Sequence, residues 1–163
     1  MIGKIIKLLS GVYSVQTPEG IYQCIAKGSF RKKGISPVPG DNVEILTFPD
    51  HTGRIEKILE RKNYLIRPNV ANVDVLCYVS SFSKPTPFQF TIDKMLVIAQ
   101  NQGITPLLVF NKNDLPDDED VGHLVDLYTS LGYDTHCVSA ATGDGLNALQ
   151  QALYGKTVVF AGN

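Results

Sequence analysis

The sequence lacks several features that would place it in a specialised class. It has no run of the roughly 20 apolar residues that a membrane span requires, and its start lacks a secretory signal pattern. Its three cysteines, Cys24, Cys77 and Cys137, lie far apart without C-x-x-C spacing, and its three histidines show no metal-ligand spacing. These absences predict buried thiols in a reducing cytoplasm, with neither disulfides nor a metal site.

An excess of charge is also missing, because the net charge is only −1, but the charges are unevenly distributed. Residues 1–66 contain 10 basic and 6 acidic residues, whereas residues 67–163 contain 5 basic and 10 acidic residues. The net charge is therefore +4 for residues 1–66 and −5 for residues 67–163, which indicates that only the first half faces an anionic polymer. Hydrophobic and charged contents of 44% and 19% are typical of a globular chain of one or two domains.

Residues 1–66 predict a small β domain. Short apolar-rich stretches are separated by turn signals at 18–20 and 50–53. The predicted strands are 4–9, 12–17, 21–26, 42–47 and 54–59. Five strands with a long, glycine-bearing third connection are typical of a Greek-key barrel of the oligonucleotide-binding (OB) type, so we predict an OB-fold.

That third connection has the composition of an RNA contact. Its basic side chains are Lys27, Arg31, Lys32 and Lys33, and Phe30 lies among them. Cations that pair with phosphates, combined with one ring that can stack on a base, predict an RNA-binding loop. A solvated loop whose Phe30 closes one end of the barrel is an equally good interpretation.

Residues 67–163 alternate strand and helix. The stretch 73–79 is an almost continuous apolar strand, typical of parallel sheets covered on both faces. Thr91 is predicted to cap a helix that ends near Gly103. The four acids at 117–120 are predicted to open a second helix, whose positive end they would face. The predicted buried stripe of that helix is Leu124, Leu127, Tyr128 and Leu131.

The most informative motif is N-K-x-D, at residues 111–114, directly after the apolar run 105–110. The two carboxylate oxygens of Asp114 can accept from N1–H and the 2-amino group of guanine together. Adenine lacks the 2-amino group, so such a site rejects it. Asn111 would brace the loop, and the Lys112 methylenes would cover one face of the ring. A polar turn after a strand is the alternative interpretation.

A second loop, at residues 139–145, follows a short strand predicted at 135–138. Ser139 and Ala140 are small enough to let a backbone N–H of Ala140 approach the guanine O6, and ligands of open α/β sheets lie at such strand ends. Taken alone, this loop is better explained as a plain strand-to-helix connection, because such loops are common. Together with the upstream N-K-x-D, it predicts a guanine site.

A phosphate loop of the form G-x-x-x-x-G-K-[ST] does not occur in the sequence. Gly155, Lys156 and Thr157 resemble its end, but Gln150 stands where the first glycine would be, and Gly155 is predicted to end a helix. The final run, 157–163, is apolar and β-branched and ends in Ala-Gly-Asn, which is typical of a strand that leads into a phosphate loop. Because the base-reading loops precede this strand, the order of elements predicts a circular permutation.

These motifs resemble those of the circularly permuted GTPases that depend on the small ribosomal subunit (the GTPase A family). The most specific block is Arg-Pro-Asn-Val-Ala-Asn-Val-Asp at 67–74. The other matching blocks are 10–15, 30–35, 39–43, 91–96, 111–114 and 139–140. Members of that family continue with a phosphate loop, switch regions, a D-x-x-G element and a zinc-binding domain. The D-x-x-G at 50–53 is interpreted as a turn of the β domain, and the other elements are not found in these residues.

The resemblance implies a five-stranded OB-fold barrel at 1–66, followed at 67–163 by part of a circularly permuted P-loop-type GTPase α/β domain. It implies GTP or GDP with Mg²⁺ as ligands, zinc only in the C-terminal domain, and a cytoplasmic monomer that acts on 16S rRNA in the 30S subunit. The implied guanine-binding residues are Asn111, Lys112, Asp114, Ser139 and Ala140, and Gly162 and Asn163 would open the phosphate loop.

We predict no catalytic residue within this sequence, because the phosphate and Mg²⁺ contacts that dominate phosphoryl transfer are not in it. We therefore expect no measurable GTP hydrolysis and very weak guanine-nucleotide binding by these residues alone. Two other hypotheses stay open. One is a non-enzymatic OB-fold RNA-binding module with a scaffold α/β domain, and the other is a nucleotide-responsive interaction protein that does not touch RNA.

Overall fold

The computed structural model describes residues 1–32, 34–116 and 121–162, without the side chains of Arg31 and Lys32. The predictions for Lys33, Asn163 and the acidic residues 117–120 therefore lie outside the described residues. The chain divides into two compact units, Met1–Asn72 and Val73–Asn163, which we call the barrel unit and the sheet unit. No helix in the described ranges is long and apolar enough to cross a membrane.

The barrel unit is a closed five-stranded barrel, as predicted. Its elements are β1 (Ile2–Leu9), β2 (Val12–Thr17), β3 (Gly20–Ala26), α1 (Ser29–Lys32), β4 (Asn42–Thr47) and β5 (Thr52–Ile58). The strand order is β1-β2-β3-β5-β4, with β1 and β4 pairing to close the barrel. Alternate side chains point inwards, so the core is Ile5, Val15, Cys24, Val43 and Ile55 with their neighbours.

The segment that follows the barrel strands is tied back to the barrel through Asp41. This carboxylate is completely buried and accepts from Arg61 Nε at 2.7 Å and from the Val38 N–H at 2.8 Å. Asn72 makes a second tie, donating from Nδ2 to the Gly40 carbonyl at 2.9 Å. Two short strands, β6 (Tyr64–Leu65) and β7 (Val70–Ala71), pair within this segment. These contacts explain why the barrel unit extends to Asn72, whereas the boundary predicted from the sequence is at 66.

The sheet unit is a four-stranded parallel sheet with helices on both faces. Its elements are β8 (Val75–Ser81), α2 (Gln89–Asn101), β9 (Thr105–Asn111), α3 (Val121–Ser130), β10 (Asp134–Val138), α4 (Leu146–Leu153) and β11 (Val158–Gly162). The strand order is β10-β9-β8-β11. Since all strands run in one direction, their carboxyl ends form a single edge of the sheet, where the loops after β8, β9 and β10 meet.

The central strands β8 and β9 are buried on both faces, which explains their continuous apolar sequence. On one face, Tyr78, Leu108 and Phe110 pack with α2 and α3 around Ile92 and Tyr128. On the other face, the core contains Val75, Cys77, Leu107, Val109, Val138 and Leu149. The sheet is therefore a rigid base from which the loops at its carboxyl edge project.

Two details of the predicted helices are wrong. Helix α2 begins at Gln89 with Phe88 as its N-cap and has no side-chain cap, so Thr91 lies in the first turn and caps nothing. Leu131 is 62% exposed although it was predicted in the buried stripe of α3. The reason is that α3 ends at Ser130 and the chain then turns at Gly132, which carries Leu131 away from the core.

Alkaline pH is expected to destabilise the sheet unit. Burial raises the pKa of the Cys77 thiol to about 11, from an ordinary value of 9.0. The thiol thus ionises at lower pH in the unfolded chain than in the folded one, so its contribution is intact below pH 9 and is lost as the pH rises towards 11. Urea unfolding at pH 8, 9.5 and 11 should show a loss of about 1–3 kcal/mol from this group.

The control for this effect is a pair of valine variants. Cys77→Val should reduce the alkaline loss in the sheet unit. Burial also raises the pKa of the Cys24 thiol, so Cys24→Val, in the barrel core, should reduce only the loss of the barrel unit. An identical pH dependence in the Cys77→Val variant and the unaltered chain would contradict the assignment to this thiol.

Candidate functional site

The N-K-x-D residues lie where the sequence predicted them, at the carboxyl edge of the sheet. Asn111 is the last residue of β9, and it is in register with Val138 at the end of β10. On the other side, Asn111 is in register with Ser81 at the end of β8. The loop after β9 is therefore flanked by the loops after both neighbouring strands.

The side chain of Asn111 joins the two predicted base-reading loops. Its Oδ1 accepts a hydrogen bond from the Ala140 N–H at 3.0 Å. Its backbone carbonyl accepts from the Phe82 N–H at 2.6 Å, which also fixes the start of the loop after β8. In this structure, the N–H expected to meet the guanine O6 is donated to Asn111, so a base would have to share or displace that hydrogen bond.

Lys112 and Asp114 form a tight turn. Lys112 has a positive φ of 70°, a conformation that L-residues seldom adopt, and its carbonyl accepts from the Leu115 N–H at 3.0 Å. Its Nζ donates to the Lys84 carbonyl at 2.6 Å, so the stem of the side chain extends towards the loop after β8. Asp114 is exposed, which leaves its carboxylate accessible to a ligand.

Ser139 stabilises the loop after β10 through hydrogen bonds to its own loop. It is completely buried, and its Oγ accepts from the Thr142 N–H at 3.1 Å. Its backbone carbonyl accepts from the Gly143 N–H at 2.8 Å. The following residue, Ala140, is exposed, so the loop presents its backbone at this point while Ser139 holds the turn closed.

Two further residues of the site were not predicted. Asn113, the unspecified position of N-K-x-D, donates from Nδ2 to Asp144 Oδ2 at 2.8 Å. Its backbone N–H donates to the Val138 carbonyl at 3.1 Å. No spacing rule pairs these positions, because they lie 31 residues apart and meet only through the parallel pairing of β9 and β10.

The predicted start of the phosphate loop lies at the same edge of the sheet. Gly162 ends β11 in register with Val79 of β8. A Cβ added to Gly162 would lie 2.1 Å from the Val79 carbonyl oxygen, so the close approach of the two strands requires glycine here.

The predicted RNA-binding residues lie on the barrel unit. Lys27 Nζ forms an ion pair with Glu56 Oε2 at 2.7 Å, and Glu56 also pairs with Arg54. Phe30 is half-buried against the barrel core, as the alternative interpretation held, and with Lys27 it lines two clefts of about 630 and 450 Å³. The backbone of Arg31 and Lys32 belongs to α1.

A Mg²⁺ site is not found in the described ranges. Across residues 1–32, 34–116 and 121–162, no three His, Cys, Asp or Glu side chains are grouped so that they could hold a metal ion. We assign no step to a metal.

Comparison with known proteins identifies the family. The model of the RsgA N-terminal domain matches residues 2–55, and the model of the RsgA GTPase matches residues 58–163. The chain belongs to the RsgA GTPase family. The two family models together span both structural units, so the match extends well beyond the N-K-x-D region.

Two curated RsgA relatives illustrate the similarity. The small ribosomal subunit biogenesis GTPase RsgA of Caldanaerobacter subterraneus is 41% identical over 160 residues, which cover 98% of this chain and 54% of the relative. The protein of the same name from Alkaliphilus metalliredigens is 42% identical over 162 residues, or 98% and 56% of the two chains. The chain thus spans about half the length of the curated RsgA proteins it matches.

Solved structures agree with the RsgA assignment. YjeQ from Thermotoga maritima superposes with a TM-score of 0.82 at 34% identity, over 99% of this chain and 60% of that one. YloQ, described as a circularly permuted GTPase, superposes with a TM-score of 0.78 at 35% identity, over 99% and 59%. These matches confirm the predicted family, the barrel followed by an α/β sheet, and the circular permutation.

Proposed function

We propose that this chain forms the guanine-recognising part of a GTP-binding protein that acts in the biogenesis of the small ribosomal subunit. The observation that carries the proposal is the hydrogen bond of 3.0 Å between Asn111 Oδ1 and the Ala140 N–H. It joins the N-K-x-D loop to the loop after β10 at the edge of a parallel sheet, where such folds bind nucleotides.

Each residue has a role that follows from its chemistry. The exposed Asp114 carboxylate accepts from the guanine N1–H and 2-amino group, and the Ala140 N–H is shared between Asn111 Oδ1 and the guanine O6. Asn111 braces the two loops, and the Lys112 stem covers one face of the base. Ser139 holds the loop that presents Ala140. Gly162 leads towards the phosphates of the nucleotide from the end of β11.

We propose that the whole protein hydrolyses GTP. GTPases of this kind bind Mg²⁺ together with the nucleotide phosphates. We assign 30S association, and contact with 16S rRNA, to the barrel unit. Support for this part comes from the two clefts lined by Lys27 and Phe30, one of which is also lined by Lys57 and Arg61. We further propose that the protein is a monomer and acts in the cytoplasm.

The proposal predicts that the polypeptide Met1–Asn163 distinguishes guanine from adenine. In a titration followed by ¹⁵N NMR, GDP should bind weakly, at concentrations on the order of millimolar, because the base supplies most of the contacts. ADP should bind at least about 10-fold more weakly, since it cannot donate to Asp114. The GDP-dependent shifts should centre on the amides of Asp114 and Ala140.

Asp114→Ala should abolish the preference for GDP, and Asp126→Ala is the matched control because this carboxylate is exposed on α3, away from the loops. Equal binding of GDP and ADP by the unaltered chain would reject the guanine site. That result would favour the alternative, an RNA-binding barrel whose sheet unit is a scaffold.

A further inference from the structure

The contact between Asn113 and Asp144 has no role in the function proposed above. Asn113 Nδ2 donates to Asp144 Oδ2 at 2.8 Å, and this hydrogen bond connects the two loops that would read the base. Neither residue is part of the base-reading set. We call this pair the clasp.

On one side, the clasp is built into the loop after β10. The Asp144 carbonyl accepts from the Ser139 N–H at 3.0 Å, and the Asp144 N–H donates to Thr142 Oγ1 at 3.4 Å. The next residue, Gly145, has a positive φ of 71°, and a Cβ there would lie 2.4 Å from the Cys137 carbonyl oxygen. Asp144 is therefore held from its backbone, and its carboxylate is aimed at Asn113.

On the other side, the clasp is built into the N-K-x-D turn. The Asn113 N–H donates to the carbonyl of Val138, the last residue of β10, at 3.1 Å, so the backbone of Asn113 attaches to β10 and its side chain attaches to the loop after β10. Its two sequence neighbours are Lys112 and Asp114. Any movement of Asn113 relative to Asp144 would shift the Asp114 carboxylate relative to the Ala140 N–H.

We propose that Asn113 and Asp144 are positioning residues that set the distance between the Asp114 carboxylate and the Ala140 N–H, and thereby the selectivity for guanine over adenine. The inference rests on the proposed guanine site. Guanine presents N1–H and O6 on adjacent ring atoms, so an acceptor and a donor must reach one base edge together.

The clasp predicts a loss and a rescue of selectivity. Asn113→Asp places two carboxylates against each other, and it should lower the ratio of GDP to ADP affinity by about 10-fold, because like charges drive the loops apart. The double variant Asn113→Asp, Asp144→Asn restores an amide–carboxylate pair with its polarity reversed. Its ratio should return to within about threefold of the unaltered chain, because the two positions are coupled.

Both ratios can be measured by NMR titration of Met1–Asn163 with GDP and ADP, and hydrogen exchange of the Ala140 amide gives a readout without nucleotide. Exchange should accelerate in Asn113→Asp and slow again in the double variant. Asn101→Asp is the matched control, because it adds a carboxylate at the exposed end of α2 and should change neither readout.

The outcomes separate the two proposals. A GDP preference in the unaltered chain that survives Asn113→Asp, or is not restored in the double variant, overturns the clasp and leaves the guanine site intact. Faster exchange at Ala140 with an unchanged GDP to ADP ratio also overturns it, since the clasp would then have a structural role alone. A ratio near one in the unaltered chain rejects the guanine site itself, and the clasp with it.

Discussion

Replacing Asp114 by Asn is expected to convert a preference for guanine into a preference for xanthine. The carboxylate offers two acceptors, which match the N1–H and 2-amino donors of guanine. An amide offers one acceptor and one donor, which match the N1–H and the C2 carbonyl of xanthine. The change leaves the shape of the exposed side chain nearly unaltered, so the fold should not be affected. The affinity for GDP relative to that for xanthosine diphosphate (XDP) should fall by about 100-fold in total.

NMR titrations of the unaltered chain and the Asp114→Asn variant with both nucleotides would measure this reversal. The Asp114→Ala variant is the control, because it has neither hydrogen-bonding pattern and should prefer neither base. If Asp114→Asn simply weakens both nucleotides to the same extent, the carboxylate does not face the base edge, and the assigned role of Asp114 is wrong.

Replacing Asp41 by Ala is expected to destabilise the barrel unit by about 2–4 kcal/mol, because it removes a fully buried acceptor from the Arg61 guanidinium and from the Val38 N–H. Asp41 is completely buried, and its two oxygens accept from Arg61 at 2.7 and 2.8 Å and from the Val38 N–H at 2.8 Å. The alanine variant removes all of these acceptors, while Arg61, whose side chain is only 23% exposed, stays charged. In the variant, Arg61 keeps its hydrogen bond to the Ser36 carbonyl and its contact with the Tyr64 ring. A guanidinium does not lose its proton near neutral pH, so the cation will not neutralise itself.

Hydrogen exchange of the core amides of Val15 and Cys24 in increasing urea would report on the barrel unit separately from the sheet unit. Glu44→Ala is a matched control, because Glu44 is 46% exposed and its oxygen lies 3.6 Å from Lys57 Nζ. Such a surface pair contributes less than about 1 kcal/mol. A loss in Asp41→Ala no larger than in the control would show that the buried pair contributes nothing beyond its surroundings.

The barrel strands could be predicted because short apolar-rich stretches are separated by turn signals at 18–20 and 50–53. Strand β2, for example, buries Tyr13 and Val15 between exposed or half-buried neighbours, one of which is the apolar Val12. The sheet strands β8 and β9 could be predicted because burial on both faces leaves an uninterrupted apolar run.

The errors arose where local signals compete with packing. Thr91 has the chemistry of a helix cap, but α2 starts two residues earlier, at Gln89. Leu131 continues the apolar spacing of α3, but the helix has ended before it. Helix ends depend on where the chain must turn to reach the next strand, and a local residue pattern carries little of that information.

The motif blocks and their order along the chain were sufficient to predict the family and the permutation, because these depend on residue type and spacing. The side chains assigned to guanine follow from the same residue types and stay a prediction. The partners of those side chains could not be predicted in the same way. Asn113 meets Asp144, and Asp41 meets Arg61, across 31 and 20 residues of intervening chain. Such pairs form because strand register and barrel closure bring distant backbone segments together. Their separation along the chain does not indicate that they meet, so only the tertiary structure identifies them.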